Sequence, residues 1–126
     1  MSWQAYVDTN LLSTQKVKQA AIHGLDGAPW ATSAGLALDQ AQVQTILNGF
    51  KDASAIREQG IKLNGQKYFT LRADDRSIYG KNGATGVVCV KTKQAVLIGF
   101  YDETVQPGET TKVVEGLADY LISVNY

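Results

Sequence analysis

Between residues 61 and 101 the chain is a run of strand-forming segments, separated by connections long enough only for reversal. Nothing else in the sequence constrains the fold as tightly. Asn64-Gly65 joins a strand over 61–63 to one over 66–73, and Asp74-Asp75-Arg76 turns into a strand over 77–81. Asn82-Gly83 turns again into 84–92, and a tight reversal near Lys93 opens the last strand, 94–101. Asn-Gly is a strong hairpin signal because the two central residues of such a turn need positive φ. Connections this short link only antiparallel neighbours. Val87-Val88-Cys89-Val90 and Ala95-Val96-Leu97-Ile98 are continuously apolar, which predicts central strands covered on both faces.

The covering layers must come from the helical patterns in the rest of the chain. Ser2 is a predicted N-cap for a first helix, with Trp3, Tyr6, Val7 and Asn10 on one side. A strand over 17–23, a turn at Asp26-Gly27 and a returning strand over 29–34 that carries Trp30 follow. Asp39 caps a second helix that repeats Val43, Ile46, Leu47 and Phe50 at the spacing of one buried face. A weaker helical turn over 52–59 closes at Gly60. Gln106-Pro107-Gly108 is expected to break the chain before a last helix starting near Glu109 or Thr110. That helix places Val113, Val114, Leu117, Tyr120, Leu121 and Val124 on one face and Lys112, Glu115 and Asp119 on the other. The expected fold is α+β: one domain over 1–126 with a central antiparallel sheet of about seven strands, covered on both faces.

Charge and cysteine content narrow the class of function. The 12 basic and 12 acidic residues cancel, so no global field draws the chain to nucleic acid or membrane. An anionic partner has to be met by a local patch. A single cysteine, Cys89, permits no intramolecular disulfide, which suits a reducing cytosol. The start Met-Ser-Trp-Gln does not read as a secretory leader, and no apolar run approaches ~20 residues. A cytoplasmic protein is expected.

The residues that could carry catalysis have plainer roles. His23 lies among strand residues with no partner nearby in sequence, and Cys89 sits in an apolar run where a thiol behaves as a small hydrophobe. Asp74 and Asp75 are turn formers, and the glycine-rich stretch 80–86 lacks the order of a phosphate-binding loop. There is no cluster with metal-ligand spacing. No enzyme, cofactor or metal is expected.

Three stretches, in order, carry a resemblance: residues 2–8 (Ser-Trp-Gln-Ala-Tyr-Val-Asp), 72–81 (Arg-Ala-Asp-Asp-Arg-Ser-Ile-Tyr-Gly-Lys) and 113–121 (Val-Val-Glu-Gly-Leu-Ala-Asp-Tyr-Leu). Together they resemble profilin, most closely the short profilins of plants and amoeboid protists, from Trp3 to Tyr126. The resemblance implies a sheet with both terminal helices on one face and the further helix on the other. It also implies a cytoskeleton-associated protein that binds monomeric actin, proline-rich segments of actin-assembly proteins and acidic phosphoinositides. By that resemblance Trp3, Tyr6, Trp30, Tyr120 and Tyr126 converge as the polyproline site. A polyproline II helix leaves its carbonyls free, so rings that stack on proline and donate an N–H or O–H suit it.

The positions matching the family's actin surface are Lys67, Phe69, Thr70, Arg72, Lys81 and Lys112. Acidic phosphoinositides are assigned to Arg72, Arg76 and Lys81. Related sequences often carry a basic residue where this chain has Asn82 and where it has Gly116. Two positive charges are thus missing, and a polyproline-binding scaffold with weak actin affinity is the alternative function. A small ligand-binding sensor of similar layout would need a deep apolar pocket instead.

Overall fold

A computed structural model of the chain describes residues 2–126. Seven strands form one antiparallel sheet: β1 (Gln19–Gly24), β2 (Pro29–Thr32), β3 (Ile61–Leu63), β4 (Gln66–Ala73), β5 (Ser77–Asn82), β6 (Thr85–Lys91) and β7 (Ala95–Tyr101). Their spatial order is β2-β1-β7-β6-β5-β4-β3, so the meander of the last five strands is extended by the first hairpin pairing with β7. Asn64 and Gly65, at φ 51° and 74°, turn β3 into β4 in the manner their sequence predicts.

Alternation along the central strands builds two cores. Val87 and Cys89 of β6 face one cluster with Val43, Ile46, Leu47 and Phe50 of α2 (Gln40–Lys51) and Ile56 of α3 (Ser54–Gln59). Val88 and Val90 face the other, with Val7 and Leu11 from the N-terminal helical segment and Val114, Leu117, Ala118 and Leu121 from α4 (Pro107–Ser123). The sheet is therefore covered on both faces, with the two terminal helical segments together on one of them. Asp39 caps α2 by accepting from the Ala41 N–H at 2.8 Å, and Gly60 closes α3 at φ 82°.

The terminal segments differ from the sequence expectation in three ways. First, α1 (Trp3–Ala5), capped by Ser2, widens at once into a π-helical stretch, Tyr6–Leu11, and ends in a 3-10 turn, Leu12–Thr14. The wider turn, in which Leu12 N–H reaches back to Val7, brings Leu11 under Val7 in the core and leaves Asn10 exposed. Second, α4 begins at Pro107 rather than near Glu109, because proline at the first helical position loses no hydrogen bond. Third, the apolar face of α4 is narrower than its pattern suggested. Tyr120 and Val124 are 51% and 40% exposed, and Glu115 is not on a solvated side but reaches β5.

His23 is buried in β1, its Nδ1 2.9 Å from the Gly27 carbonyl. Burial pushes the Cys89 thiol up to about 12, so it stays protonated within the core.

Candidate functional site

The expected aromatic residues do meet. Trp3 on α1 is the hub: its ring centroid lies 4.7 Å from Trp30, 5.5 Å from Tyr6 and 5.2 Å from Tyr126, the last edge-on at 80°. Tyr6 continues the row to Tyr120 at 6.3 Å. Trp3, Tyr6 and Trp30 pack against the core cluster that α4 helps form and are partly buried, while Tyr120 and Tyr126 are 51% and 43% exposed. The product is a shallow row of rings drawn from both ends of the chain and from β2. Burial, and then the neighbouring Tyr120 hydroxyl, raise the Tyr6 phenol above the ordinary tyrosine value, so the Tyr6 hydroxyl remains an O–H donor at neutral pH.

Two residues outside the expected set shape this row. Gln4 donates its side-chain amide to the Thr32 carbonyl at 2.9 Å and to Asp8 at 3.1 Å, fastening the first helix beside β2. Gly24, at the end of β1, leaves room for the Trp30 indole: a Cβ there would sit 2.9 Å from Trp30 Nε1. Neither shows in sequence, because each acts through a contact between segments that the local pattern does not reveal.

A second surface lies on β4 and β5. Phe69 stands opposite Lys81, and Tyr79, two residues before Lys81, packs with the core under α4. Period-two alternation therefore puts Phe69 and Lys81 on the α4 side of the sheet. A bulge between Thr70 and Arg72 inserts Leu71, so Leu71 and Arg72 are both exposed in succession. Phe69 and Leu71, at 69% and 62%, are the most exposed large apolar side chains of the described residues. Leu71 was not among the expected contacts, although it lies two residues from Phe69. Lys67 lies 6.0 Å from the Phe69 ring, and Lys67, Lys81 and Lys112 enter no ion pair among the described residues. Thr70 is turned inward, donating to the Ile56 carbonyl at 2.6 Å.

The arginines of the expected phosphoinositide site are occupied. Arg72 pairs with Asp74 at 2.8 Å and lies over the Tyr79 ring at 5.4 Å. Arg76 reaches Glu115 at 3.0 Å and Asp119 at 2.7 Å, which holds its own charge inside a carboxylate cluster. Of the three, Lys81 alone enters no ion pair among the described residues.

No group of His, Cys, Asp and Glu arranged to hold a metal occurs among the described residues, and none of their helices is long and apolar enough to cross a membrane.

Comparison with known proteins agrees with this fold. Profilin-1B of Acanthamoeba castellanii is 60% identical over the full length of both chains. The crystal structure of Acanthamoeba castellanii profilin II superposes with a TM-score of 0.97 at 58% identity, covering 99% of this chain and 100% of that one. Mouse profilin IIa, solved in complex with a double repeat from the FH1 domain of mDia1, shares the fold at a TM-score of 0.82 and 23% identity over both whole chains. The family model for profilin matches residues 1–126, and the chain belongs to the profilin family.

Proposed function

We propose that this chain binds proline-rich peptides on the Trp3, Tyr6, Trp30, Tyr120 and Tyr126 row and monomeric actin on the β4–β5 face, and so regulates actin filament assembly. The observation that carries the reading is the convergence of these rings, from three separate segments, on one partly exposed surface. Rings stack on pyrrolidine faces, and indole N–H and phenol O–H groups donate to the carbonyls that a polyproline II helix leaves free. The stiffness of proline lowers the entropy lost on docking, which lets a shallow groove bind. The mouse relative's complex with an FH1-domain repeat supports the same reading.

For actin, exposed Phe69 and Leu71 supply an apolar centre with Lys67 and Lys81 beside Phe69, and Lys112 is exposed on α4; none of the three lysines enters an ion pair among the described residues. An apolar core within a charged rim is the common form of a protein interface, and the rim charges chiefly set register and association rate. Acidic phosphoinositides are assigned to Arg72, Arg76 and Lys81. Arg72 and Arg76 already hold carboxylates, so an acidic headgroup has to compete with those ion pairs. Retention on immobilised poly-L-proline together with saturable binding of monomeric actin in solution tests the reading. Poly-L-proline retention without actin binding would instead favour the scaffold reading, which the uncharged Asn82 and Gly116 support.

A further inference from the structure

The groove contains one ring that the fold should hold poorly. Tyr126 is beyond the end of α4, where backbone usually frays. Two devices nevertheless fix it. The first is the helix C-terminus itself. Asn125 adopts φ 72°, and the Tyr126 N–H returns to the Leu121 carbonyl at 2.8 Å while Asn125 N–H returns to Ile122 at 3.1 Å. This is the Schellman pattern, with asparagine in the left-handed position, and it folds the last residue back against the helix.

The second device is the reversal between β6 and β7, which lies outside the aromatic row. The main-chain oxygen of Tyr126 accepts from the Thr92 hydroxyl at 2.7 Å and from the Gln94 N–H at 2.6 Å. The Gln94 side-chain amide donates to the Asn125 carbonyl at 2.8 Å, and Lys93 Nζ reaches Asn125 Oδ1 at 3.2 Å. Thr92 is buried, and its hydroxyl also receives the Ala95 N–H at 3.1 Å, so its orientation is set by the hairpin. Thr92 and Gln94 thus hold the backbone of 125–126 while Lys93 holds the Asn125 side chain, and the Tyr126 ring is delivered edge-on to Trp3.

We infer that the β6–β7 turn is a clamp that preorganises the peptide groove, with Thr92 and Gln94 as positioning residues acting through Tyr126. The inference rests on the peptide-binding reading above. A ring already immobilised in the free protein does not lose its rotational freedom when a ligand docks. Releasing it should weaken binding without altering any group that touches the peptide.

The test uses Thr92→Val, which keeps the shape of the side chain and removes its hydroxyl, with Thr92→Ser as the conservative control. Affinity for poly-L-proline is measured by titration of the full chain, alone and in a Tyr126→Ala background. Exchange of the Tyr126 amide with solvent is followed in parallel by NMR. Thr92→Val should weaken binding roughly three- to tenfold and speed exchange of the Tyr126 amide, and Thr92→Ser should restore both. In the Tyr126→Ala background Thr92→Val should have no further effect. Wild-type affinity in folded Thr92→Val, or an equal further loss without the Tyr126 ring, would overturn the clamp and leave the peptide site standing. Failure of the unmodified chain to bind poly-L-proline would overturn the peptide site itself.

Discussion

Glu115 on α4 receives the guanidinium of Arg76 from the β4–β5 turn, with Arg76 Nε and Nη2 3.1 and 3.0 Å from one carboxylate oxygen. The other oxygen accepts from the Ser77 hydroxyl at 2.7 Å and from the Tyr79 hydroxyl. One carboxylate therefore ties the last helix to β5 through three side chains. Burial, and then this bond to Glu115, raise the Tyr79 phenol above its usual value. Removing Glu115 strands donors that are buried or half-buried, and an unsatisfied buried donor costs about 1–3 kcal/mol. Glu115→Ala should lower unfolding free energy by about that amount in urea, and Glu115→Gln by less. A change within about 0.5 kcal/mol for the alanine variant, the range of an ordinary surface site, would show that the three donors find other partners.

Acid should weaken the same turn through Asp74. Its carboxylate accepts from the Arg76 and Ser77 N–H groups at 2.9 and 2.7 Å, and these bonds, ahead of the pairing with Arg72, hold its pKa down at about 2. A folded value below the unfolded one means that the stabilisation is present above about pH 4 and is lost as pH falls toward 2. The side chain is 37% exposed, so solvent screens part of the effect. Urea midpoints at pH 6 and pH 3 should fall less for Asp74→Asn than for the unmodified chain. Equal falls would assign the acid sensitivity to other carboxylates.

How far the sequence reveals this protein depends on whether a feature is local. The Asn64-Gly65 hairpin, the Asp39 cap and the two-sided burial of β6 and β7 follow from neighbouring residues and were legible. The position of Glu115 was not. Helical periodicity placed it opposite the apolar face, and only the packing of α4 over β5 gives it Arg76, Ser77 and Tyr79 as partners. Leu71 was missed because a bulge breaks the alternation that would have located it. Asn10 was misplaced because the first helix changes pitch after Ala5. The convergence of the five aromatic residues came from the family resemblance rather than from any local pattern. Their mutual distances, and the supporting roles of Gln4 and Gly24, needed the assembled fold.

Gly116 offers a gain of stability. It lies exposed within α4, and a Cβ built there meets nothing within 4 Å. Glycine in a helix interior costs about 1 kcal/mol relative to a good helix former. Gly116→Lys should therefore raise stability by a little under 1 kcal/mol. On the proposed function it should also speed association with actin at low salt, while poly-L-proline affinity stays unchanged. Thermal unfolding and actin titration at two ionic strengths check this. A stabilised variant with unchanged or weaker actin binding would place position 116 outside the actin contact.

Leu71 separates interface from fold. Being largely exposed, it should tolerate Leu71→Ser within about 0.5 kcal/mol of wild-type stability. As a member of the proposed apolar centre it should cost actin affinity more than about 1 kcal/mol, which is about fivefold or more at equilibrium. Wild-type actin affinity in the serine variant would remove Leu71, and the exposed bulge of β4, from that surface.

Titration of folded Trp3→Ala with poly-L-proline tests the aromatic row most directly, because Trp3 touches Tyr6, Trp30 and Tyr126. Truncating a fully buried tryptophan costs about 3–5 kcal/mol, and Trp3 is only half-buried, so the variant should fold and circular dichroism should confirm it. The unmodified chain should bind poly-L-proline and folded Trp3→Ala should not bind it measurably, while actin affinity is retained. Wild-type affinity for poly-L-proline in the folded variant would contradict the assignment of this groove.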